Sequence, residues 1–137
     1  MEMKAHIISA GISKGIAVVY QGPFSFLGDL DPMTGKILVP RHPLEGQSLA
    51  GKVLVCTTGK GSSAGDSAAW LAKEKGNVPA AIICVECEPV LAAAVILTGI
   101  PAVDRPEKDV FEYIHSGDEV AVDAVSGIIS INNGVTG

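Results

Sequence analysis

Aromatic side chains are scarce in this chain, with three Phe, two Tyr and one Trp among 137 residues. Any core must therefore be aliphatic. Basic charge is in deficit as well: ten Lys and Arg stand against fifteen Asp and Glu, a formal net charge of −5. With no cluster of lysine and arginine interleaved with aromatics, that balance argues against a phosphate-backbone surface, so no nucleic acid is expected as a partner. No run reaches the roughly 18 consecutive apolar residues of a membrane span. The nearest candidate, Val78 to Ile100, is broken by Glu86, Glu88, Pro89 and Gly99. The opening MEMKAHIISAG lacks the shape of a secretory signal. A soluble, cytoplasmic protein without membrane association is expected.

Cysteine is equally sparse. Cys56, Cys84 and Cys87 are odd in number and sit among apolar residues, which suits a reducing compartment better than a disulfide framework. Cys84 and Cys87 have CxxC spacing, yet the remaining cysteine and three scattered histidines supply further ligands poorly. Both read as small hydrophobes in strands, and no metal site is expected on this chain.

What is present is a chain 47% hydrophobic and 18% charged, with sixteen glycines. That composition describes a compact domain with many tight turns, and residues 1–137 are read as one domain. The first half looks all-β. Runs from Lys4 to Ser9 and from Gly15 to Tyr20 read as strands joined by a turn at Gly11 to Lys14. Phe24-Ser25-Phe26 alternates, Asp31 to Gly35 is a turn with proline and glycine suitably placed, and Lys36 to Val39 is expected as the returning strand. Pro40 to Ser48 is a polar loop whose Arg41 and His42 are candidates to meet an anionic ligand or a partner, or are simply solvated.

From Val53 onward apolar runs alternate with helical stretches, the mark of parallel strands with crossover helices. Expected strands are Val53 to Cys56, Ala80 to Val85 and Pro101 to Val103. Expected helices are Ala68 to Lys75 with Gly76 as C-cap, Pro89 to Thr98 before Gly99, and one capped by Asp104 with Pro106 early in it. Glu119 to Asp123 and Ile128 to Ile131 close the chain as an antiparallel pair, and the final NNGVTG reads as frayed.

The loop Gly59-Lys60-Gly61-Ser62-Ser63-Ala64 between a strand and a helix concentrates the chemistry. Free N–H groups and the positive end of a helix dipole make such a place anion-friendly. It matches G-x-G-x-x-A only formally: the acid ending the second strand, Glu86, lies about five residues beyond the usual dinucleotide spacing. A Walker loop is excluded, because Leu54 stands where glycine is needed and Gly61 where serine or threonine would ligate magnesium. No Ser-His-Asp order surrounds Ser62. Ser62 and Ser63 are then either helix caps or reactive groups, Ser62 acting as a base with N–H donors and Lys60 stabilising its alkoxide.

Gly61-Ser62-Ser63 before an alanine-rich helix is similar to the loop of the aconitase and isopropylmalate isomerase swivel domain. GPFSFLGDLDPMTGKI at 22–37, RHPLEGQS at 41–48, GKVLVCTTGKGSSAGDSAA at 51–69 and GNVPAAII at 76–83 together resemble the small subunit of the aconitase X family. That resemblance implies an α/β fold: a swivelling β/β/α domain, three layers with a parallel central sheet and a second antiparallel sheet. It implies a hydro-lyase completed by a large aconitase-X-like catalytic subunit. That subunit would hold a 4Fe-4S iron-sulfur cluster, with none bound by this chain. The implied substrate is a phosphorylated hydroxy acid, (R)-mevalonate 5-phosphate, dehydrated to trans-anhydromevalonate 5-phosphate; cis-3-hydroxyproline is the alternative. Ser62 matches the family's proton acceptor. Gly61, Ser63 and Lys60 support it, and Arg41 and His42 lie in a recurring family motif. Ala64 stands where aconitase has an arginine, so the substrate carboxylate must be held elsewhere, by Arg41, Lys60 or the large subunit. A phosphohistidine-carrying swivel module is the alternative of another class, but Ser63, Ala64 and Gly65 leave no histidine where it needs one.

Overall fold

The computed structural model of the chain describes residues 1–61 and 65–132. Strand β4 (Val53–Cys56) reads VLVC, and all four residues are buried because both faces of the strand are covered. Leu54 and Cys56 join Ile82 and Cys84 of β5 (Ala81–Cys84) and Ala102 of β6 (Ala102–Asp104) in a core with the helices. Ala69 and Ala72 of α2 (Gly65–Glu74) and Leu91, Ala94 and Val95 of α3 (Pro89–Thr98) close that side. Val53, Val55, Ala81, Ile83 and Val103 point the other way, into a second core. There they meet Val120 and Val122 of β7 (Glu119–Asp123), Ile129 and Ile131 of β8 (Ile128–Asn132), and Met3 of β1 (Glu2–Lys4). The period-two alternation of side chains along a strand thus builds three layers: antiparallel sheet, parallel sheet, helices.

One long strand joins the two sheets. In β3 (Ile12–Val19), Ile12 to Ile16 pair antiparallel with β7, while Ala17 to Val19 pair parallel with β4. The full order is β1-β8-β7-β3-β4-β5-β6-β2, with β2 (His6–Ser9) antiparallel to β6 at the far edge. The expected α/β fold of a parallel and an antiparallel sheet is therefore observed. β2 and β3 follow each other in sequence without pairing, because each is claimed by a different neighbour.

Several local expectations are overturned. The run Lys4 to Ser9 divides between β1 and β2, which pair with different strands, and Ile12 to Lys14, expected in a turn, pair with β7 as the start of β3. Lys36 to Val39 forms no strand; Lys36 and Ile37 make only isolated bridges, to Ser48, Leu30 and Glu45. The reason is competition, since the 40–48 loop folds back and supplies partners on several sides, including Gln47 O for the N–H of Ile37. Asp104 does not cap a helix. It is the last residue of β6 and is buried, with Oδ1 2.8 Å from His6 Nδ1 and Oδ2 accepting from the N–H of Cys87 at 2.9 Å. Arg105 then turns the chain in a left-handed conformation, φ 47°, and Glu107 N–H donates to Lys4 O. The helix that remains is the single turn α4 (Val110–Tyr113), capped by Asp109.

Other expectations hold closely. β4 and α3 have their expected limits, and Gly76 and Gly99 follow their helices in left-handed conformations, φ 74° and 70°. Asp31 O accepts from the N–H groups of Thr34 and Gly35 in the expected turn. No helix among the described residues is long and apolar enough to cross a membrane.

Candidate functional site

Because both faces of the parallel sheet are covered, polar groups can gather only at its ends. The loops that follow β3, β4 and β5 meet at the carboxyl end. The loop after β3 runs alongside the glycine loop: Thr57 N–H donates to Gly22 O, Phe24 N–H to Thr58 O, and Phe24 bridges Gly59 in parallel register. The loop after β5 joins the other flank, where Val85 N–H donates to Cys56 O and Glu86 N–H to Thr57 O. Phe24, Ser25, Phe26, Gly61, Glu88 and Leu91 line a cleft with about 10 Å³ of free volume, room for roughly one water. Gly61 is therefore at a cleft. Ser62 and Ser63, and with them the choice between base and helix cap, lie outside the described residues.

Glu88 is a member of this site that sequence reasoning left without a role. It precedes Pro89, the first residue of α3, and its carboxylate accepts from Val90 N–H at 2.9 Å and Leu91 N–H at 2.6 Å. An acid directly before a proline at the first helical position was the signal for it. The same carboxylate explains Gly59. A Cβ there would lie 2.2 Å from Glu88 Oε1 and 2.7 Å from its Cγ, so glycine is needed for space. Gly61 has φ 75° and is needed for conformation instead.

Lys60 reaches the segment that follows Ser25. Its Nζ lies 2.8 Å from Asp29 Oδ1, in α1 (Phe26–Asp29), the short turn capped by Ser25. Asp29 is 3% exposed, whereas the Lys60 side chain is 39% exposed. Asp29 also escaped the sequence reading, although an acid between buried Phe26 and Leu30 was the available signal.

Arg41 and His42 are not among the residues lining the cleft. His42 stacks on Tyr20 with ring centroids 4.2 Å apart and accepts Leu44 N–H through Nδ1. Arg41 has φ 65°, and its N–H donates to Glu45 Oε1. The loop they share is anchored at the end of β3, where Tyr20 N–H bonds Val55 O.

The loop after β6 borders a separate open groove of about 640 Å³, lined in part by Gln21, Thr57, Thr58, Arg105 and Lys108. Behind the glycine loop the three thiols are adjacent. Cys56 Sγ and Cys84 Sγ are 3.5 Å apart. The hydrogen bond to Cys56, and then burial, push the Cys84 thiol well up, with Cys87 opposing. The Cys87 thiol is also pushed up, by its hydrogen bond to Cys84 and then by burial. Among the described residues no three His, Cys, Asp or Glu side chains converge as metal ligands would.

The aconitase X swivel domain matches residues 2–131. The phosphomevalonate dehydratase small subunit of Methanothermobacter thermautotrophicus is 43% identical over 129 residues, 94% of this chain and 98% of that one. The protein of the same name from Methanosarcina mazei is 40% identical over 131 residues, 96% of this chain and 91% of that one. Among solved structures, a crystal structure of Thermococcus kodakaraensis aconitase X in its holo-form superposes with a TM-score of 0.90. It is 38% identical, over 96% of this chain and 98% of that one.

Two outcomes follow from the site. In Gly59→Ala the new Cβ displaces the Glu88 carboxylate and its two N–H bonds, with a stability loss of about 1–2 kcal/mol in urea titration. Because Glu88→Ala removes the obstacle, the double variant should be no less stable than Glu88→Ala alone; additive losses would contradict the contact. For the thiols, a folded-state pKa raised above the ordinary value of about 8.5 means that the folded chain keeps protons the unfolded chain releases. Their contribution to stability is complete below that pH and is lost as pH rises past it. Iodoacetamide at pH 8 should therefore label Cys84 and Cys87 far more slowly in the native chain than in urea, and equal rates would refute the protonated state.

Proposed function

The chain belongs to the aconitase X swivel-domain family, and from that premise we propose that it is the small subunit of a phosphomevalonate dehydratase. In this reading residues 1–137 are one swivel domain that works with a large subunit in the cytoplasm. The reaction is a 2,3-elimination from (R)-mevalonate 5-phosphate. A C2–H bond beside the carboxylate and the C3–O bond to the hydroxyl break, a C2=C3 double bond forms, and water leaves with trans-anhydromevalonate 5-phosphate.

Ser62 takes the C2 proton. An alkoxide is strongly disfavoured in water and becomes accessible only where fixed donors and positive charge meet it. What supports this assignment is the place of the loop: Gly61 opens on a cleft at the carboxyl end of the sheet. Lys60 brings a cation to the residue before Gly61, and α2 begins at Gly65 with its positive dipole end toward the loop. Ser63 supports the same group. Arg41 and His42, on the neighbouring loop, are assigned to the face that meets the large subunit or the substrate's anionic ends.

The family implies an iron–sulfur enzyme. This chain's cysteines do not fit such a cluster, since Cys56 and Cys84 are buried in the sheet and no three ligand side chains converge among the described residues. We assign the 4Fe-4S cluster to the large subunit and derive no step through it here. A dehydratase for cis-3-hydroxyproline remains the second reading within the family, because the large subunit would carry much of the substrate contact.

The test is reconstitution. The chain alone should form no anhydromevalonate phosphate, and activity should appear when it is mixed anaerobically with a cluster-loaded large subunit and (R)-mevalonate 5-phosphate. In the same assay Ser62→Ala should lower kcat by roughly 10²–10⁴-fold, the range expected for loss of a general base, while still co-eluting with the large subunit. Turnover by the isolated chain, or near-normal kcat in Ser62→Ala, would sink the assignment.

A further inference from the structure

Asp29 is a buried acid with both oxygens engaged. Oδ2 accepts from the N–H of Ser25 at 3.0 Å and Oδ1 from Lys60 Nζ at 2.8 Å, while its backbone carbonyl accepts from Leu38 N–H at 2.8 Å. The local chain is shaped to produce this. Ser25 caps the turn, accepting from Leu27 N–H through its hydroxyl. Leu27 leaves the helical region and Gly28, at φ 90°, reverses the backbone. The result turns the Asp29 side chain inward, under Ser25 and toward Lys60.

Burying a carboxylate is strongly unfavourable unless a counter-charge meets it. The cation that does so comes from the glycine loop and not from the segment carrying Asp29. Lys60 precedes Gly61, and one further residue is Ser62. Holding the ammonium therefore restrains the loop at the residues that lead to Ser62. The opposite flank is limited too, since Glu88 leaves no room for a Cβ at Gly59. Asp29 takes one of the three ammonium donors, and the Lys60 side chain stays 39% exposed.

We infer that Asp29 is a positioning residue for the reaction: through the ion pair with Lys60 it fixes the glycine loop and the cation beside the Ser62 base. This rests on the proposed role of Ser62, and the pair acts as one unit. Asp29 touches neither substrate nor base.

The reconstituted complex tests it with Asp29→Asn, Lys60→Met and the double variant. Asp29→Asn keeps the side chain's shape and removes its charge. Each single variant should lower kcat by roughly 10–100-fold, the effect expected from a base misplaced by about 1 Å, with KM changed less than about threefold. The double variant should be no slower than the worse single one. Hydrogen exchange on the isolated chain supplies a second readout that does not depend on Ser62: the amides of residues 57–61 should exchange faster in Asp29→Asn, with β4 and β5 protected as before. Unchanged kcat, additive losses, or faster exchange spread through the whole chain would each overturn the inference. Should Asp29→Asn fail to fold, Lys60→Met carries the same comparison. If Ser62→Ala stays active while residues 57–61 still loosen in Asp29→Asn, the base assignment fails and the positioning contact stands.

Discussion

Everything distinctive about this chain depends on covering a parallel sheet on both faces. Val53 and Val55 enter one core and Leu54 and Cys56 the other, with Ile82 and Ile83 dividing in the same way one strand over. A strand so enclosed has nowhere to place polar chemistry except past its end. The segments after β3, β4 and β5 all emerge at that end, and their backbone hydrogen bonds tie them into one surface. The helices on one side and the antiparallel sheet on the other thus fix the end of the sheet from which the glycine loop emerges at Thr57 to Gly61.

That arrangement was legible where the sequence signal is local. The unbroken run VLVC announced a strand covered on both sides, and Pro89 with Gly99 bounded α3 correctly. The motifs shared with the aconitase X family carried the rest of the topology. What escaped were interactions that join distant segments. Asp104 looks like a helix cap because proline follows shortly after it, but its partners are His6 and Cys87, 98 and 17 residues away. Asp29 looks like one of two acids in a turn, yet its cation comes from 31 residues downstream. Lys36 to Val39 has strand composition, but its bridges go to Ser48, Leu30 and Glu45 in the neighbouring loops. In each case the residue type was visible and the partner was not.

Cys84 and Cys87 have the spacing of a metal pair in sequence; in the fold Cys84 lies 3.5 Å from Cys56, and hydrogen bonding to neighbouring thiols and burial push the Cys84 and Cys87 thiols up. The phosphocarrier alternative fails on composition, since Ser63, Ala64 and Gly65 occupy the stretch where that module needs histidine. Around the glycine loop the structure gathers charged and capping groups: Lys60 with Asp29, the head of α2, and Glu88 against Gly59.

The central claim is that Ser62 moves the C2 proton of the substrate, and isotope exchange reads that step without relying on net turnover. The reconstituted complex, held at equilibrium in D₂O with (R)-mevalonate 5-phosphate and its anhydro product, should place deuterium at C2 of mevalonate 5-phosphate. The Ser62→Ala complex should bind the substrate yet leave C2 unlabelled. Deuterium entering C2 at the wild-type rate in that variant would contradict the account and assign the base elsewhere.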